Sequence, residues 1–172
     1  AAIVNALANA LRLTDDERAY VATLTMAGNG RELCPTVTTM VTDVAANVRA
    51  ILDGLDPTPA FVTTPATEVI AGNEAWRALA EPLGLLDDDR PTIAGYVFGN
   101  PRAREVLTEW AVVANDQVSH LRAASLRWGR DPAFAELLAR LEAEPEFARR
   151  WSTHRISAPN RGMLQLRHPV AG

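Results

Sequence analysis

The sequence PEFARRWSTHRI at residues 145–156, together with the segment that follows it, decides how this chain completes its fold. Pro145 after Glu144 predicts the first turn of a short helix, because proline is favoured at the first helical position. That helix carries Phe147 and Trp151 one turn apart. Residues 154–157 and 163–166 are predicted strands on either side of a turn at 159–162, where Pro, Asn and Gly stand close together. The end of the chain is therefore predicted to add strands to a sheet.

Two further β-prone runs lie upstream, at residues 60–64 and 68–71, and together they predict a hairpin. Asn73 is predicted to cap the next helix. The longest helix is predicted to open at Asn100-Pro101, run past residue 121 and end at Gly129, and Asp131-Pro132 opens another. Strands at both ends of a helical middle predict an α+β fold, in which helices cover an antiparallel sheet.

The chain is predicted to begin with a short helical segment at residues 1–28, where Thr14 and Glu17 form a capping box. Residues 29–36 are predicted to be a linker, and 37–172 the main domain. Apolar residues at steps of three and four across 37–55 predict a long amphipathic helix at the start of that domain. Its apolar face either packs on its own domain, or the helix is a connector or pairs with a second copy across a dimer axis.

Composition narrows the class of protein. At 172 residues, with 48% hydrophobic and 22% charged residues, the chain is long and apolar enough for a real core. Its net charge of −4 argues against a surface that wraps nucleic acid, which needs clustered cations. Residues 147–172 nevertheless contain five arginines and no carboxylate, which either pair with acidic helices or bind an anionic ligand.

Cys34 is the single cysteine, so an internal disulfide is excluded and a reducing compartment is favoured. No targeting leader is recognisable, and no apolar run approaches the ~18 residues that cross a bilayer. These features predict a cytoplasmic protein without membrane insertion.

Catalytic and cofactor motifs are missing from the sequence. His120, His154 and His168 lack the spacing of a helical zinc motif and have no thiolate nearby. Ser119 and His120 are neighbours, and neighbours on a helix point about 100° apart, so they do not form a catalytic pair. Glycine-rich nucleotide-binding loops are absent too. We therefore expect no enzyme activity, no metal and no cofactor.

Ordered sequence blocks point to one family. Pro145-Glu146-Phe147, Trp151 and His154 lead on to His168-Pro169-Val170 and Gly172, and the upstream blocks lie at 51–62, at Asn73, from 98 to Trp110, and at 121–124. In this order they resemble the effector-binding region of MmyB-like helix-turn-helix transcription regulators. Residues 7–19 resemble the last helices of that family's DNA-binding domain. The chain departs from the family pattern at Gly72, where an aromatic is usual, and at Glu144, where serine is usual.

The resemblance implies a function as well as a fold. It implies that 37–172 is a PAS-like sensor domain and that 1–28 is the remnant of a helix-turn-helix domain through which the intact protein contacts DNA. It also implies a homodimer and a small apolar ligand such as a fatty acid. The alternative is a dimerisation or interaction module that binds no ligand, in which every aromatic side chain belongs to the core.

A ligand site in such a domain needs apolar walls and one or two polar groups. The candidate walls are Phe61, Ile70, Trp76, Phe98, Trp110 and Leu121. Arg122 and His168 are the candidates for holding a ligand carboxylate by a charge-assisted hydrogen bond. His168 has a structural alternative, because the His168-Pro169 pair also suits the end of a strand.

Overall fold

A computed structural model describes residues 2–28, 40–153 and 164–171. Its elements in chain order are α1 (Ala2–Ala10), α2 (Asp15–Gly28), α3 (Ala46–Gly54), β1 (Phe61–Thr63), β2 (Val69–Gly72), α4 (Glu74–Ala80), α5 (Ile93–Gly99), α6 (Ala103–Val106), α7 (Trp110–Trp128), α8 (Pro132–Glu142) and α9 (Pro145–Ser152). Helices dominate and a small antiparallel sheet accompanies them, so the predicted α+β class is confirmed.

The predicted hairpin is confirmed, and its loop is anchored to the start of α5. β1 and β2 pair antiparallel, with Phe61 opposite Gly72. Thr67, in the loop between them, has a positive φ of 60°, which is strained for a β-branched residue. Its hydroxyl accepts a hydrogen bond from the Ala94 N–H at 3.2 Å, and its carbonyl accepts one from the Ile93 N–H at 2.9 Å. The contacts with α5 therefore hold the loop in this conformation.

Helix α3 is shorter than the sequence predicts. Residues 40–45 are not helical, and α3 begins only at Ala46. The physical reason is a distant partner, because the Met40 N–H donates to the Asp131 carboxylate at 2.8 Å instead of to a helical carbonyl. Residues 37–39 lie outside the described part of the chain.

The predicted longest helix is interrupted. Helix α6 ends at Val106 and α7 starts at Trp110, with Leu107 in an extended conformation between them. The chain end occupies the gap: Leu107 bridges Leu166, and the Arg167 N–H donates to the Val106 carbonyl at 2.8 Å. Hydrogen bonds to the chain end thus replace helical ones.

The same contacts correct the prediction of a strand at 163–166. Its described part, 164–166, forms one isolated bridge and no strand. Residues 154–157 and the turn at 159–162 lie outside the described ranges. Within those ranges the sheet has two strands, where the sequence predicts four.

Helix boundaries at several other places agree with the sequence. The Thr14–Glu17 capping box is present, Asn73 caps α4, and Gly129 follows the last residue of α7. Asp131 caps α8 by accepting hydrogen bonds from the Ala133 and Phe134 N–H groups. Burial alone raises the pKa of Asp131, but its three backbone N–H donors outweigh that effect and hold the pKa below its ordinary value.

The helices surround two apolar cores that meet at Phe98. The first core lies among α7, α8 and α9, and the second lies among α5, α6 and the start of α7. Fully buried residues of the first core include Leu121, Phe134 and Phe147. Helix α2 packs on α7, which is the main contact of the N-terminal helical pair with the rest of the described structure.

Candidate functional site

A row of four aromatic rings joins α7, α5 and α9; we call it the aromatic row. Trp110 meets Phe98 edge-on with centroids 6.1 Å apart, and Phe98 meets Phe147 edge-on at 5.1 Å. Phe147 stacks on Trp151 at 5.3 Å. Phe147 is fully buried, whereas Phe98, Trp110 and Trp151 are half-buried and keep some exposed ring surface. The four rings thus form a continuous series of contacts, and aromatic side chains are common in the walls of ligand pockets.

Arg122 lies at the Trp151 end of the aromatic row. Its side chain is 6% exposed, and its guanidinium carbon is 4.9 Å from the Trp151 ring centroid. Nη2 donates a hydrogen bond to the Trp151 carbonyl. Burial lowers the pKa of Arg122, and the neighbouring Tyr20 on α2 acts in the opposite direction. The preceding residue, Leu121, is fully buried in the first core, so the sequence correctly places the two on a buried stretch of α7.

The other end of the row carries two arginines that sequence reasoning missed. The guanidinium carbons of Arg104 and Arg150 lie 3.8 Å and 4.8 Å from the Trp110 ring centroid. Arg150 is buried, and it donates hydrogen bonds to the Asn115 side chain and the Glu146 carboxylate. The bonds from Arg150 and Arg149 lower the pKa of Glu146 to about 2. The spacing of Glu146 and Arg150, four residues apart on a helix, was the available signal for this pair.

Three of the predicted wall residues lie elsewhere, on the hairpin and α4. Phe61 stacks on Trp76, with ring centroids 4.0 Å apart and planes at 16°. Trp76 is buried, but Phe61 is 41% exposed, and Ile70 is half-buried on β2. In the described part of the chain no ring contact joins this pair to the aromatic row. The predicted walls therefore form two separate groups.

Asn73 holds the hairpin, α3 and α4 together. Its side chain is fully buried and its amide nitrogen donates to the carbonyls of Leu52 and Thr58, at 3.2 Å and 2.8 Å. Its amide oxygen accepts from the N–H groups of Ala60 and Trp76, both at 3.0 Å. The predicted cap is thus one of four hydrogen bonds of the Asn73 side chain, and it fixes the position of Trp76 at the start of α4.

The two departures from the family pattern have local structural consequences. A Cβ atom at position 72 would lie 2.2 Å from Cδ1 of Trp76, so the indole occupies the space next to Gly72 where a side chain would start. Glu144 precedes α9, but its side chain makes no capping hydrogen bond, which serine commonly makes. At position 72, Trp76 therefore takes space that a bulkier residue needs.

Gly72→Ala is expected to lower the free energy of unfolding by about 1–3 kcal/mol, because the added methyl forces the buried Trp76 ring off its stack on Phe61. Urea denaturation followed by tryptophan fluorescence measures the loss. Gly54→Ala is the matched control: no atom lies within 4 Å of its Cβ position, so its stability should be unchanged or raised by up to about 1 kcal/mol. Equal effects of the two substitutions would show that Trp76 does not occupy this space.

His168 lies in the segment that pairs with the gap between α6 and α7. Its Nδ1 accepts hydrogen bonds from the N–H groups of Val170 and Ala171, at 3.2 Å and 3.1 Å. In the neutral ring the proton is then on Nε2, which is buried and has no hydrogen-bond partner among the described residues. His168 stabilises a turn with one nitrogen and leaves a donor on the other.

An open cavity of about 320 Å³ lies between the loop after α4 and one face of α5. Its lining includes Tyr96, Asn100 and the exposed carboxylates of Asp87 and Asp88, and none of the predicted site residues. Carboxylates at the lining suit an apolar acid poorly, so this cavity is not the predicted site.

In the described ranges no group of three or more His, Cys, Asp or Glu side chains is placed to hold a metal ion. His120 is exposed, with Nε2 3.1 Å from the Pro65 carbonyl, and His154 lies outside the description. None of the described helices combines the length and apolar character that crossing a membrane requires.

Comparison with known proteins identifies one family. The family model described as the MmyB-like transcription regulator ligand binding domain matches residues 44–172. The match covers the hairpin, α3 to α9 and all the predicted site residues, and it leaves α1 and α2 outside. No curated protein and no solved structure matches the chain.

Proposed function

Because this chain belongs to the MmyB-like transcription regulator ligand binding domain family, we propose that it is the sensor of a cytoplasmic regulator and binds a small apolar acid such as a fatty acid. The intact protein contacts DNA through an N-terminal helix-turn-helix domain of which residues 1–28 are the remnant. It acts as a homodimer and carries out no catalysis.

The buried guanidinium of Arg122 at the end of the aromatic row is the observation that supports this proposal most. A fatty acid needs an apolar surface for its tail and a cationic donor for its carboxylate. The half-buried rings Phe98, Trp110 and Trp151 supply the first, and Arg122, beside Trp151, supplies the second. The apolar surroundings that lower the pKa of Arg122 also strengthen its attraction to an anion.

His168 is a second candidate for the carboxylate. Its Nε2–H is a buried donor without a partner in the described ranges, which fits an acceptor oxygen on a ligand. It belongs to the segment beside α6, whereas Arg122 lies between α7 and α9. Arg122 is the stronger candidate because it carries a permanent charge next to the aromatic row.

If Arg122 binds the ligand carboxylate, its loss should affect ligands that have a carboxylate and spare ligands that share only the tail. A fatty acid and the n-alcohol of the same chain length share the tail, so their difference in affinity reports the carboxylate contact. Arg122→Ala is expected to weaken acid binding by about 10- to 100-fold, since a hydrogen bond to a charged group contributes about 1.5–3 kcal/mol. Binding of the alcohol should change little. Titration calorimetry on both ligands measures the two effects.

Arg127→Ala is the matched control for this titration, because Arg127 is an exposed arginine on the same helix that also stacks on a tryptophan. It should leave both affinities unchanged. If Arg122→Ala weakens acid and alcohol equally, Arg122 supports the pocket and does not bind the carboxylate. If it changes neither, Arg122 is outside the site.

The rings pack on one another, as core residues do, which favours a second candidate function: a dimerisation module that binds no ligand. Phe147 and Leu121 are fully buried, as core residues are. A ligand that binds only the folded state must raise its melting temperature with concentration. Absence of any shift across a series of chain lengths would favour the module.

A further inference from the structure

The open cavity between the loop after α4 and one face of α5 has the size of a ligand site. Its volume of about 320 Å³ is near the lower end of the range of ligand pockets, roughly 300–1,000 Å³. Its wall on α5 includes Gly95 and Gly99, which lie one turn apart and put no side chain into the space. None of the residues proposed to bind the acid lines it. The cavity therefore suits a second, small ligand, and its lining determines the kind.

The lining of this cavity favours a cation. Asp87 and Asp88 belong to it, and the described residues of the lining include no arginine or histidine. Arg102, close by, neutralises the carboxylates poorly: its Nη1 is 4.0 Å from Oδ2 of Asp87, and the two side chains are 60% and 66% exposed. An ion pair that long and that exposed contributes little. Asp88 has no ion pair among the described residues, so the lining keeps a net negative charge.

Glu144 adds a third carboxylate next to the α5 wall. Its Oε1 is 4.0 Å from the position that a Cβ atom on Gly99 would take. The side chain is half-buried and makes no capping hydrogen bond with α9, and no described residue forms an ion pair with it. A cation nearby favours the charged form of a carboxylate that is partly withdrawn from water. Glu144 therefore strengthens the attraction of this wall for a positive charge.

We propose that this cavity binds a small organic cation of the aliphatic diamine class, with Asp87 and Asp88 as hydrogen-bond acceptors and Glu144 as a further source of attraction. The site goes beyond the proposed function and does not depend on it. A metal ion fits less well, because it needs several ligands around one point and no three acidic or histidine side chains of the described ranges are placed to hold one. A diamine carries its charges apart, and each ammonium group donates up to three hydrogen bonds.

Titration of the whole protein with 1,4-diaminobutane, followed by NMR of the glycine amides, locates the binding. The signals of Gly95 and Gly99 are expected to shift, whereas those of Gly54 and Gly129, which are outside the lining, should stay in place. The compound 1,4-butanediol has the same carbon chain without the charges and should leave all four signals unchanged. Because the attraction is electrostatic, the diamine affinity should fall several-fold between about 20 and 200 mM salt.

Matched substitutions test which carboxylates bind the diamine. Asp88→Asn removes a charge of the lining at constant side-chain size and is expected to weaken the binding about fivefold. Asp89→Asn is the control, because Asp89 is an exposed neighbour outside the lining and its loss changes the net charge equally. Glu144→Gln should also weaken the binding about fivefold, and Glu142→Gln, at an exposed position two residues earlier, should not.

Three results would count against the proposal. Equal weakening by Asp88→Asn and Asp89→Asn, or shifts of Gly54 and Gly129 as large as those of Gly95 and Gly99, would show that only the net charge attracts the diamine and would overturn the site. The same conclusion follows if no glycine signal moves at about 10 mM diamine. Unchanged affinity in Glu144→Gln would overturn the role of that residue.

Discussion

Asn73→Ala is expected to lower the free energy of unfolding by about 3–5 kcal/mol, the largest loss from any single side chain outside the two cores. The substitution removes the amide donor from the carbonyls of Leu52 and Thr58, of which the Leu52 carbonyl keeps the Leu55 N–H as a second donor. It also removes the acceptor from the N–H groups of Ala60 and Trp76. Unsatisfied buried polar groups cost about 1–3 kcal/mol each, and local relaxation recovers part of the sum.

Urea denaturation followed by circular dichroism measures this effect. Asn47→Ala is the control, because Asn47 is an exposed amide on α3 with no side-chain hydrogen bond among the described residues; it should stay within about 0.5 kcal/mol of the parent. Asn73→Asp keeps the acceptor oxygen but loses both donated bonds, so it should fall well below the parent too. A loss of under about 1 kcal/mol in Asn73→Ala would show that this side chain does not join α3, β1 and α4.

Phe147→Ala is expected to cost about 3–5 kcal/mol of stability, the usual cost of deleting a fully buried phenylalanine. Phe147 has no exposed surface and lies between Phe98 and Trp151 in the aromatic row. Its removal opens a cavity at the centre of the row and frees the Trp151 ring. The near-ultraviolet circular dichroism of the tryptophans should therefore weaken along with the stability.

Phe147→Leu refills most of that volume and should lower the free energy of unfolding by less than about 1.5 kcal/mol. Phe61→Ala removes a ring that is 41% exposed and belongs to neither core, so its loss should be clearly smaller than that of Phe147→Ala. If Phe61→Ala proves the more damaging of the two, the assignment of the main core to the helical body is wrong.

Local rules of the sequence predicted the parts of the fold that depend on neighbouring residues. The caps at Asn73 and Asp131, the end of α7 at Gly129 and the start of α9 at Pro145 follow from residues a few positions apart. The hairpin follows from β-prone runs around a turn. Each of these needs no knowledge of the rest of the chain.

Errors arose where a distant partner decides the local structure. The segment before α3 is tied to Asp131, 91 residues away, and the gap between α6 and α7 is occupied by the chain end at Leu166. The helical spacing of apolar residues continues across both places and therefore predicts a helix. In the structure, backbone groups there form tertiary hydrogen bonds in place of helical ones. Only knowledge of the partner would have corrected these predictions.

The candidate site was predictable in its residue types and less so in its arrangement. Phe98, Trp110, Leu121 and Arg122 were placed on the helices that form the main body, but the sequence did not show that Phe61 and Trp76 form a separate pair. The stacking of Arg104 and Arg150 on Trp110 depends on side-chain conformations that spacing does not reveal. The position of the Trp76 ring beside Gly72 likewise depends on its rotamer.

Mass spectrometry of the whole protein under native conditions, with a series of straight-chain fatty acids, measures whether this domain binds an apolar acid. We expect a complex of one acid per chain over a limited range of chain lengths, retained in Arg127→Ala and strongly reduced in Arg122→Ala. A parent protein that stays free of ligand at every chain length, with no lipid released by organic extraction, would contradict the claim that this domain senses an apolar acid.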